Sequence, residues 1–325
     1  MKATAIAPSN IAFIKYWGLK DDLLRLPANG SISMNLSNLL TTTTVEFSQD
    51  YKKDEIIINN DTSEKEAKRV IAHLDRIRSM AKISVKAKVV SKNNFPTGTG
   101  LSSSASGFAA LTTAAASAAG LQLSEKELSV LARLGSGSAC RSIPDGFTEW
   151  REGHTSESSY AVSLYPPDYW DIVDIVAVVN VGPKDIPTSQ GQKLAHSSPF
   201  FTTRLELINK KIKLTKKYLN EKNFASFGEL IESEALELHA IMLTSKPSLI
   251  YWLPGTISVM KQVQKLRKEG IQVYFTVNTG QDVHIICQKK DADKVTSLIK
   301  KIPEVKKIIT NSPSKGSRLS PDHLF

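Results

Sequence analysis

The chain has 325 residues, ordinary apolar content, two cysteines and a formal net charge of +10 at pH 7. That length buries a sizeable core and predicts two domains, while no uncharged run approaches the roughly 20 residues of a membrane span. The first ten residues lack the apolar core of a signal peptide, and Cys140 and Cys287 offer neither a disulfide framework nor metal-ligand spacing, so a soluble cytoplasmic protein is expected. The positive excess sits in runs such as Asn209 to Lys217, where lysines alternate with Ile212 and Leu214 as on a solvated helix face. No nucleic-acid motif accompanies it. The charge is permissive rather than diagnostic: it would draw a small polyanionic substrate, and neither a nucleic-acid nor a membrane partner is expected.

In chain order, residues 2–7 and 41–48 are rich in β-branched side chains and predict strands, with an irregular polar–aromatic stretch between them from Asn10 to Ser37. Ile56 to Ile58 predicts a short strand, Glu64 to Lys82 a helix with Val70, Leu74 and Ile77 on one face, and Ile83 to Val90 another strand. A glycine- and serine-rich loop, residues 95–107, then runs into an alanine-rich helical segment that Gly120 stops. Ser124-Glu-Lys-Glu127 is a capping box that opens a helix through Leu134. A second small-residue loop, Gly135 to Ser142, leads to predicted strands at Phe147–Trp150, Tyr160–Leu164 and Ile172–Val181. Beyond Gly182-Pro183, helical periods at Leu205–Asn220, Phe224–Leu243 and Gly255–Lys268 precede strands at Ile271–Val277 and Val283–Cys287 and a last helix at Ala292–Lys301. This order predicts an α+β protein in two lobes, 1–182 and 183–325.

The first glycine loop carries the clearest chemistry. Gly98 and Gly100 let the backbone approach a ligand closely, and Ser102, Ser103, Ser104 and Ser106 stand where a helix begins, with N–H groups and the positive dipole end favouring an anion. It is neither G-x-x-x-x-G-K-[ST] nor G-x-G-x-x-G, so phosphate binding here belongs to another fold. Arg141, set among Ser136, Ser138 and Ser142, suits bidentate pairing with a carboxylate or phosphate. The six histidines are scattered, no G-x-S-x-G elbow is present, and Cys140 reads as a small buried residue.

Four motifs together carry a resemblance: Ala7-Pro-Ser-Asn-Ile-Ala12 with Lys15-Tyr-Trp-Gly18, Leu26-Pro27 with Ser31-Ile-Ser33, Gly100-Leu-Ser-Ser-Ser-Ala105, and Gly135-Ser-Gly-Ser-Ala-Cys-Arg-Ser142. Tyr274-Phe-Thr-Val with Thr279-Gly280 is a weaker fifth. In this order they resemble the GHMP small-molecule kinases and, within them, the mevalonate diphosphate decarboxylases. The resemblance implies a two-lobed GHMP kinase fold, with an N-terminal lobe like the second domain of ribosomal protein S5 and a ferredoxin-like C-terminal lobe. It implies that ATP, with Mg²⁺, phosphorylates the 3-hydroxyl of a phosphorylated mevalonate, and that loss of phosphate and CO₂ then gives the isopentenyl product. A homodimer is also implied.

Carried over by motif, Gly98, Thr99, Gly100, Leu101, Ser102, Ser103, Ser104 and Ser106 cradle the ATP phosphates, with Ser91 and Asn93 near adenine. The substrate falls to Tyr16, Trp17, Gly18, Leu19, Arg69, Ser136, Gly137, Ser138, Ala139, Cys140, Arg141, Thr188 and Ser189. Within that set Arg141 grips the carboxylate and Arg69 the 5-phosphate end. No side chain is assigned as a metal ligand. Two positions depart from the family: Leu19 stands where Tyr-Trp-Gly is followed by lysine, and Asn278 stands at the catalytic aspartate. An amide cannot accept the hydroxyl proton as a carboxylate does, so Asn278 and Arg141 are the residues on which the chemistry turns. A 3-hydroxyl kinase that stops at phosphorylation, or a weakly catalytic regulatory relative, are the alternatives these two departures raise.

Overall fold

The computed structural model describes residues 1–61, 63–95, 100–182 and 186–325. Its N-terminal half is built on β1 (Lys2–Ile14), the short hairpin β2 (Leu19–Asp21) and β3 (Leu26–Pro27), and the long β4 (Ser31–Ser48). There follow β5 (Glu55–Ile58), α1 (Glu64–Ala81), β6 (Lys86–Asn93), α2 (Ser103–Ala118), α3 (Glu125–Gly135), a 3₁₀ turn at Gly137–Ser142, β7 (Phe147–Arg151) and β8 (Tyr160–Tyr165). The second half comprises β9 (Ile172–Val178), α4 (Thr188–Lys193), α5 (Phe201–Asn220), α6 (Phe224–Thr244), α7 (Pro254–Lys268), β10 (Val273–Thr276), β11 (Val283–Gln288), α8 (Ala292–Ile299), β12 (Lys307–Asn311) and β13 (Arg318–Ser320).

A seven-stranded sheet runs β13-β1-β4-β6-β5, with β7 and β8 continuing from the first half of β4. Ala3, Ala5 and Ala7 alternate towards one face of β1, and their small size admits the alanine-rich α2 close against the strand. Because α2 is apolar nearly all round, it is buried nearly all round, with Ala109, Ala110, Ala114 and Ala115 fully enclosed. Beyond a register shift between Pro8 and Asn10, Ile11, Phe13 and Ile14 join a different cluster that also holds Val176 and Val178 of β9 and Phe227 of α6. One strand therefore serves the core of the first lobe and the seam between the lobes.

The four-stranded antiparallel sheet runs β10-β11-β9-β12. It is covered on one face by α7 and α8 and on the other by α5 and α6. Burial on both faces is why β9, apart from Asp174, is apolar throughout rather than alternating.

The α+β, two-lobed architecture agrees with the sequence reading; several details differ. The segment read as irregular between Asn10 and Ser37 is largely strand, since β1 runs to Ile14 and β4 starts at Ser31. A register shift between Pro8 and Asn10 lets the strand run on past the proline. The division expected at residue 182 falls after β9, yet β9 is an interior strand of the second sheet, and the C-terminal β13 returns to pair with β1 of the first. The second small-residue loop is a 3₁₀ turn, and α4, β12 and β13 had no clear sequence signal because they are short or half-exposed.

Candidate active site

A cleft of about 1040 Å³ lies between the lobes, lined by β1, the β2–β3 hairpin, the start of α2, the 3₁₀ turn, α4 and the loop at Asn278. Gly98 and Thr99 lie outside the described residues. Gly100 has φ +112°, and a Cβ built there would sit 2.7 Å from the Cα of Gly280. Only glycine permits that approach of the two lobes.

The start of α2 opens into the cleft through Ser102, Ser103 and Ser104. Ser102 takes a left-handed conformation and no side chain caps the helix, so its first amides remain available to an anion. Ser91 and Asn93 line the same cleft, tied to Thr43 and Thr41 at 2.8 Å and 2.6 Å.

Arg141 is 4 % exposed and held by three neutral acceptors: Nε donates to Ser33 Oγ at 3.1 Å, Nη1 to Ser31 Oγ at 2.8 Å, and Nη2 to Asn10 Oδ1 at 3.1 Å. The Ser31-Ile-Ser33 alternation puts both hydroxyls on one face of β4, which makes the cradle possible. No carboxylate pairs with this guanidinium among the described residues, and burial pushes its pKa down. A buried, oriented cation with donors to spare, opening on a cleft, can pair with a carboxylate or a phosphate. Tyr16 packs edge-on against Trp150 and its hydroxyl comes within 2.6 Å of where a Cβ on Gly137 would stand, so that glycine clears its path.

Beside Arg141 lies Lys15, 2 % exposed. Its Nζ donates to the Ala12 carbonyl at 2.6 Å and to Asn278 Oδ1 at 3.0 Å. Asn278 in turn donates through Nδ2 to Ser102 Oγ at 3.3 Å, and its carbonyl accepts from His239 Nε2 at 3.0 Å. Burial pushes His239 down to about 3, so the ring is neutral, with its proton on Nε2. The backbone of Lys15 is clamped by a buried ion pair: its N–H donates to Glu234 Oε1 at 3.0 Å and its carbonyl accepts from Arg204 Nη2 at 2.9 Å. Arg204 and Glu234 also pair with each other.

Of the residues expected from sequence, Tyr16, Leu19, Arg69, Ser91, Asn93, Gly100, Ser102, Ser103, Ser104, Ser136, Gly137, Ser138, Arg141, Thr188, Ser189 and Asn278 line the cleft. Six stand behind it. Trp17 packs with Phe201 and Tyr251, Leu101 with Phe95 and Phe147, Ala139 with the first-lobe core, and Cys140 with Trp150. Ser106 accepts from Thr41 Oγ1, and the Gly18 N–H donates to Gln192 Oε1, tying the segment between β1 and β2 to α4. These residues shape the wall because aromatic and small side chains fill space better than they meet a polyanion. Burial pushes the Cys140 thiol up to about 12, away from nucleophilic duty. The sequence reading missed Asn10, Ser31 and Ser33 as the Arg141 cradle, Arg25 as a cleft cation, and the Arg204–Glu234 clamp. The cradle was legible in the spacing of its serines; the clamp joins residues far apart in sequence and was not.

The lobes, the uncapped helix start and the small-residue turns define a GHMP-type fold of the phosphoryl-transfer class. A family model for the diphosphomevalonate decarboxylase-like N-terminal domain matches residues 7–161, and one for the mevalonate 5-diphosphate decarboxylase C-terminal domain matches residues 174–321. The chain is 35% identical to the diphosphomevalonate decarboxylase of Candida albicans, covering 92% of this chain and 88% of that one. It is likewise 35% identical to the phosphomevalonate decarboxylase of Haloferax volcanii, covering 92% of each. The crystal structure of mevalonate diphosphate decarboxylase from Staphylococcus aureus superposes with a TM-score of 0.94 at 36% identity, over 98% of both chains. A further relative, solved in complex with MVAPP, AMPPCP and magnesium, superposes with a TM-score of 0.92 at 36% identity, over 98% of this chain and 99% of that one. The chain belongs to the mevalonate diphosphate decarboxylase family.

Proposed function

We propose that this protein decarboxylates a 5-phosphorylated mevalonate at the expense of ATP. The 3-hydroxyl is phosphorylated, then phosphate and CO₂ depart together to leave isopentenyl phosphate or diphosphate. The observation that carries this reading is Arg141: a buried guanidinium without a carboxylate partner among the described residues, opening on the cleft that also receives the uncapped start of α2. A carboxylate on Arg141 and a triphosphate on α2 bring the substrate's C3 oxygen and the γ-phosphorus together, and such positioning is most of what phosphoryl transfer asks of a protein. The same grip orients the C1–C2 bond that breaks in the second step.

Arg69 and Arg25 line the cleft mouth and suit the 5-phosphate end. Arg69 is anchored by its bond to the Gly135 carbonyl at 3.3 Å, and Arg25 by its Nε on the Leu134 carbonyl at 3.2 Å. Arg25 supplies a cation on the same hairpin where Leu19 has none. Ser91 and Asn93 flank adenine, and Thr188 and Ser189 lie near the substrate. The described residues hold no cluster of three or more histidine, cysteine or acidic side chains that would bind a metal. Mg²⁺ therefore fits this site as a partner of the ATP phosphates beside the Ser102–Ser104 hydroxyls, where it would shield phosphate charge. No helix among the described residues is long and apolar enough to cross a membrane, and we take the working form as a cytoplasmic homodimer. We place the lobe division between Tyr165 and Ile172, with the C-terminal strand returning to the first lobe.

The test is incubation with ATP, Mg²⁺ and either mevalonate 5-diphosphate or 5-phosphate, followed by analysis of the organic product. An isopentenyl ester with CO₂ is expected. A stable 3-phospho ester with ADP would make the protein a kinase, and turnover of neither ester would remove the reading altogether.

A further inference from the structure

We propose that in this chain, resting on the reaction above, the ε-amine of Lys15 takes the proton from the substrate's 3-hydroxyl, with Asn278 as its positioning residue. The motive is the amide at position 278, which can present a hydrogen-bond acceptor but not a base.

A neutral amine has two N–H donors and one lone pair. Lys15 Nζ has two protein acceptors, the Ala12 carbonyl at 2.6 Å and Asn278 Oδ1 at 3.0 Å. With both donors engaged, the lone pair remains for the cleft that Lys15 lines. The amide orientation agrees, since Oδ1 on Nζ leaves Nδ2 to donate to Ser102 Oγ.

The surroundings favour the uncharged form. Glu234, the carboxylate on α6 that faces Lys15, meets its backbone N–H rather than Nζ and is already engaged by Arg204 of α5 and by Lys211. Arg141 on the 3₁₀ turn and Arg204 add like charge, Asp174 of β9 opposes them from within its own bonds to His284 and Asn311, and His239 of α6 is neutral. Burial, the largest influence, drives the ammonium well below its usual pKa; Glu234 opposes that shift and Arg141 reinforces it. A carboxylate at 278 would pair with Nζ and keep it charged. Asparagine there removes the ion pair and leaves a base.

Placement follows from the two anchors. The 3-hydroxyl lies two carbons from the carboxylate, which sits on Arg141, and the attacked phosphorus lies towards Ser102, which Asn278 touches. Lys15 reaches the Ser102 side through Asn278 and lies within the field of Arg141. The proton passes from O3 to Nζ as O3 bonds to the γ-phosphorus, and the bond from that phosphorus to its bridging oxygen breaks with its electrons to ADP. In the next step the C3–O3 bond breaks to phosphate while the C1–C2 electrons form the C2=C3 bond and release CO₂. The ammonium then lies beside the departing phosphate and returns its proton to solvent on product release.

The test joins a substrate-free readout to kinetics. Protein labelled with ¹³Cε,¹⁵Nζ-lysine, with the Lys15 signal identified from Lys15→Arg, should show a neutral Lys15 amine at pH 8, and Asn278→Asp should convert it to the ammonium. The acid limb of kcat/KM in the unmodified chain should lie well above the carboxylate range and move down into it in Asn278→Asp. Lys15→Ala should lose on the order of 10²–10⁴-fold in kcat, with recovery by added methylamine in proportion to its neutral form. Methylamine recovery also separates a lost base from a misfolded variant. A charged Lys15 at pH 8, or an acid limb that ignores Asn278→Asp, overturns the proposal while product still forms. A neutral Lys15 in a protein that turns over neither ester overturns the proposed reaction and with it the role assigned here.

Discussion

Replacing Glu234 by glutamine tests how the site is held. Glu234 and Arg204 are both fully buried, and between them they bind the N–H and the carbonyl of Lys15. The substitution keeps the shape and one acceptor but leaves the Arg204 charge with Glu237 as its remaining acidic partner. Breaking a buried pair on one side costs about 3–5 kcal/mol, and the surviving acceptor argues for the lower end, near ~3 kcal/mol. At about 2 °C per kcal/mol for a chain of this size, the melting midpoint should fall by roughly 6 °C at pH 7. As a contrast, Glu221→Gln removes an exposed i,i+4 pair with Lys217 and should change stability by less than ~0.5 kcal/mol.

The pH dependence of that difference is also set. Burial alone would raise the Glu234 pKa, but Arg204 and then Lys211 outweigh it and hold the carboxyl below its ordinary value. Its contribution is therefore fully present above the unfolded carboxylate pKa and is lost as pH falls through the depressed folded one. The gap between the two proteins should narrow as pH falls below about 4. Thermal melts by circular dichroism at pH 7 and at pH 4 and below measure it. A midpoint within 1 °C of the parent protein at pH 7, or a gap that widens in acid, would refute the reasoning.

Other consequences are quicker to check. Gly100→Ala meets Gly280 and a positive φ, so it should destabilise by about 1–3 kcal/mol and raise KM for ATP, whereas Gly270→Ala, also at positive φ but facing open space, should leave kinetics unchanged. Arg25→Ala should raise KM about tenfold for the preferred ester through loss of one charged phosphate contact, with little change in kcat. Burial pushes both Cys140 and Cys287 up to about 12, so iodoacetamide at pH 8 should leave the folded enzyme active; rapid inactivation would contradict their placement.

Much of the cleft was legible because its chemistry sits in contiguous small-residue segments. Glycine and serine runs mark a close backbone approach and a helix start whatever surrounds them, and Arg141 is conspicuous among serines. Helices with a single apolar face, such as α1 and α7, were also read within a few residues. The rest depended on tertiary pairing. Pro8 and Asn10 look like a break in isolation, yet a register shift carries β1 on to Ile14, and that extension delivers Lys15 to the cleft. Sequence offers Lys15, Lys20 and Asp282 as groups that could act beside residue 278 but cannot place them, for the same reason. Asn278 and Leu19 invite reading as the two halves of one lost ion pair, whereas the cation at Asn278 is Lys15. Trp17 and Cys140 show the converse: inclusion in a motif does not place a side chain in the cavity when the motif also builds its wall.

The order of events at the substrate's C3 oxygen is the most direct test of the account. Mevalonate 5-diphosphate, or the 5-phosphate if that ester is preferred, carrying ¹⁸O in the 3-hydroxyl should deliver the label into inorganic phosphate, one atom per CO₂ released, because O3 acquires phosphorus before it leaves carbon. Label appearing in water, with unlabelled phosphate, would mean that O3 is never phosphorylated and would contradict the mechanism at its first step.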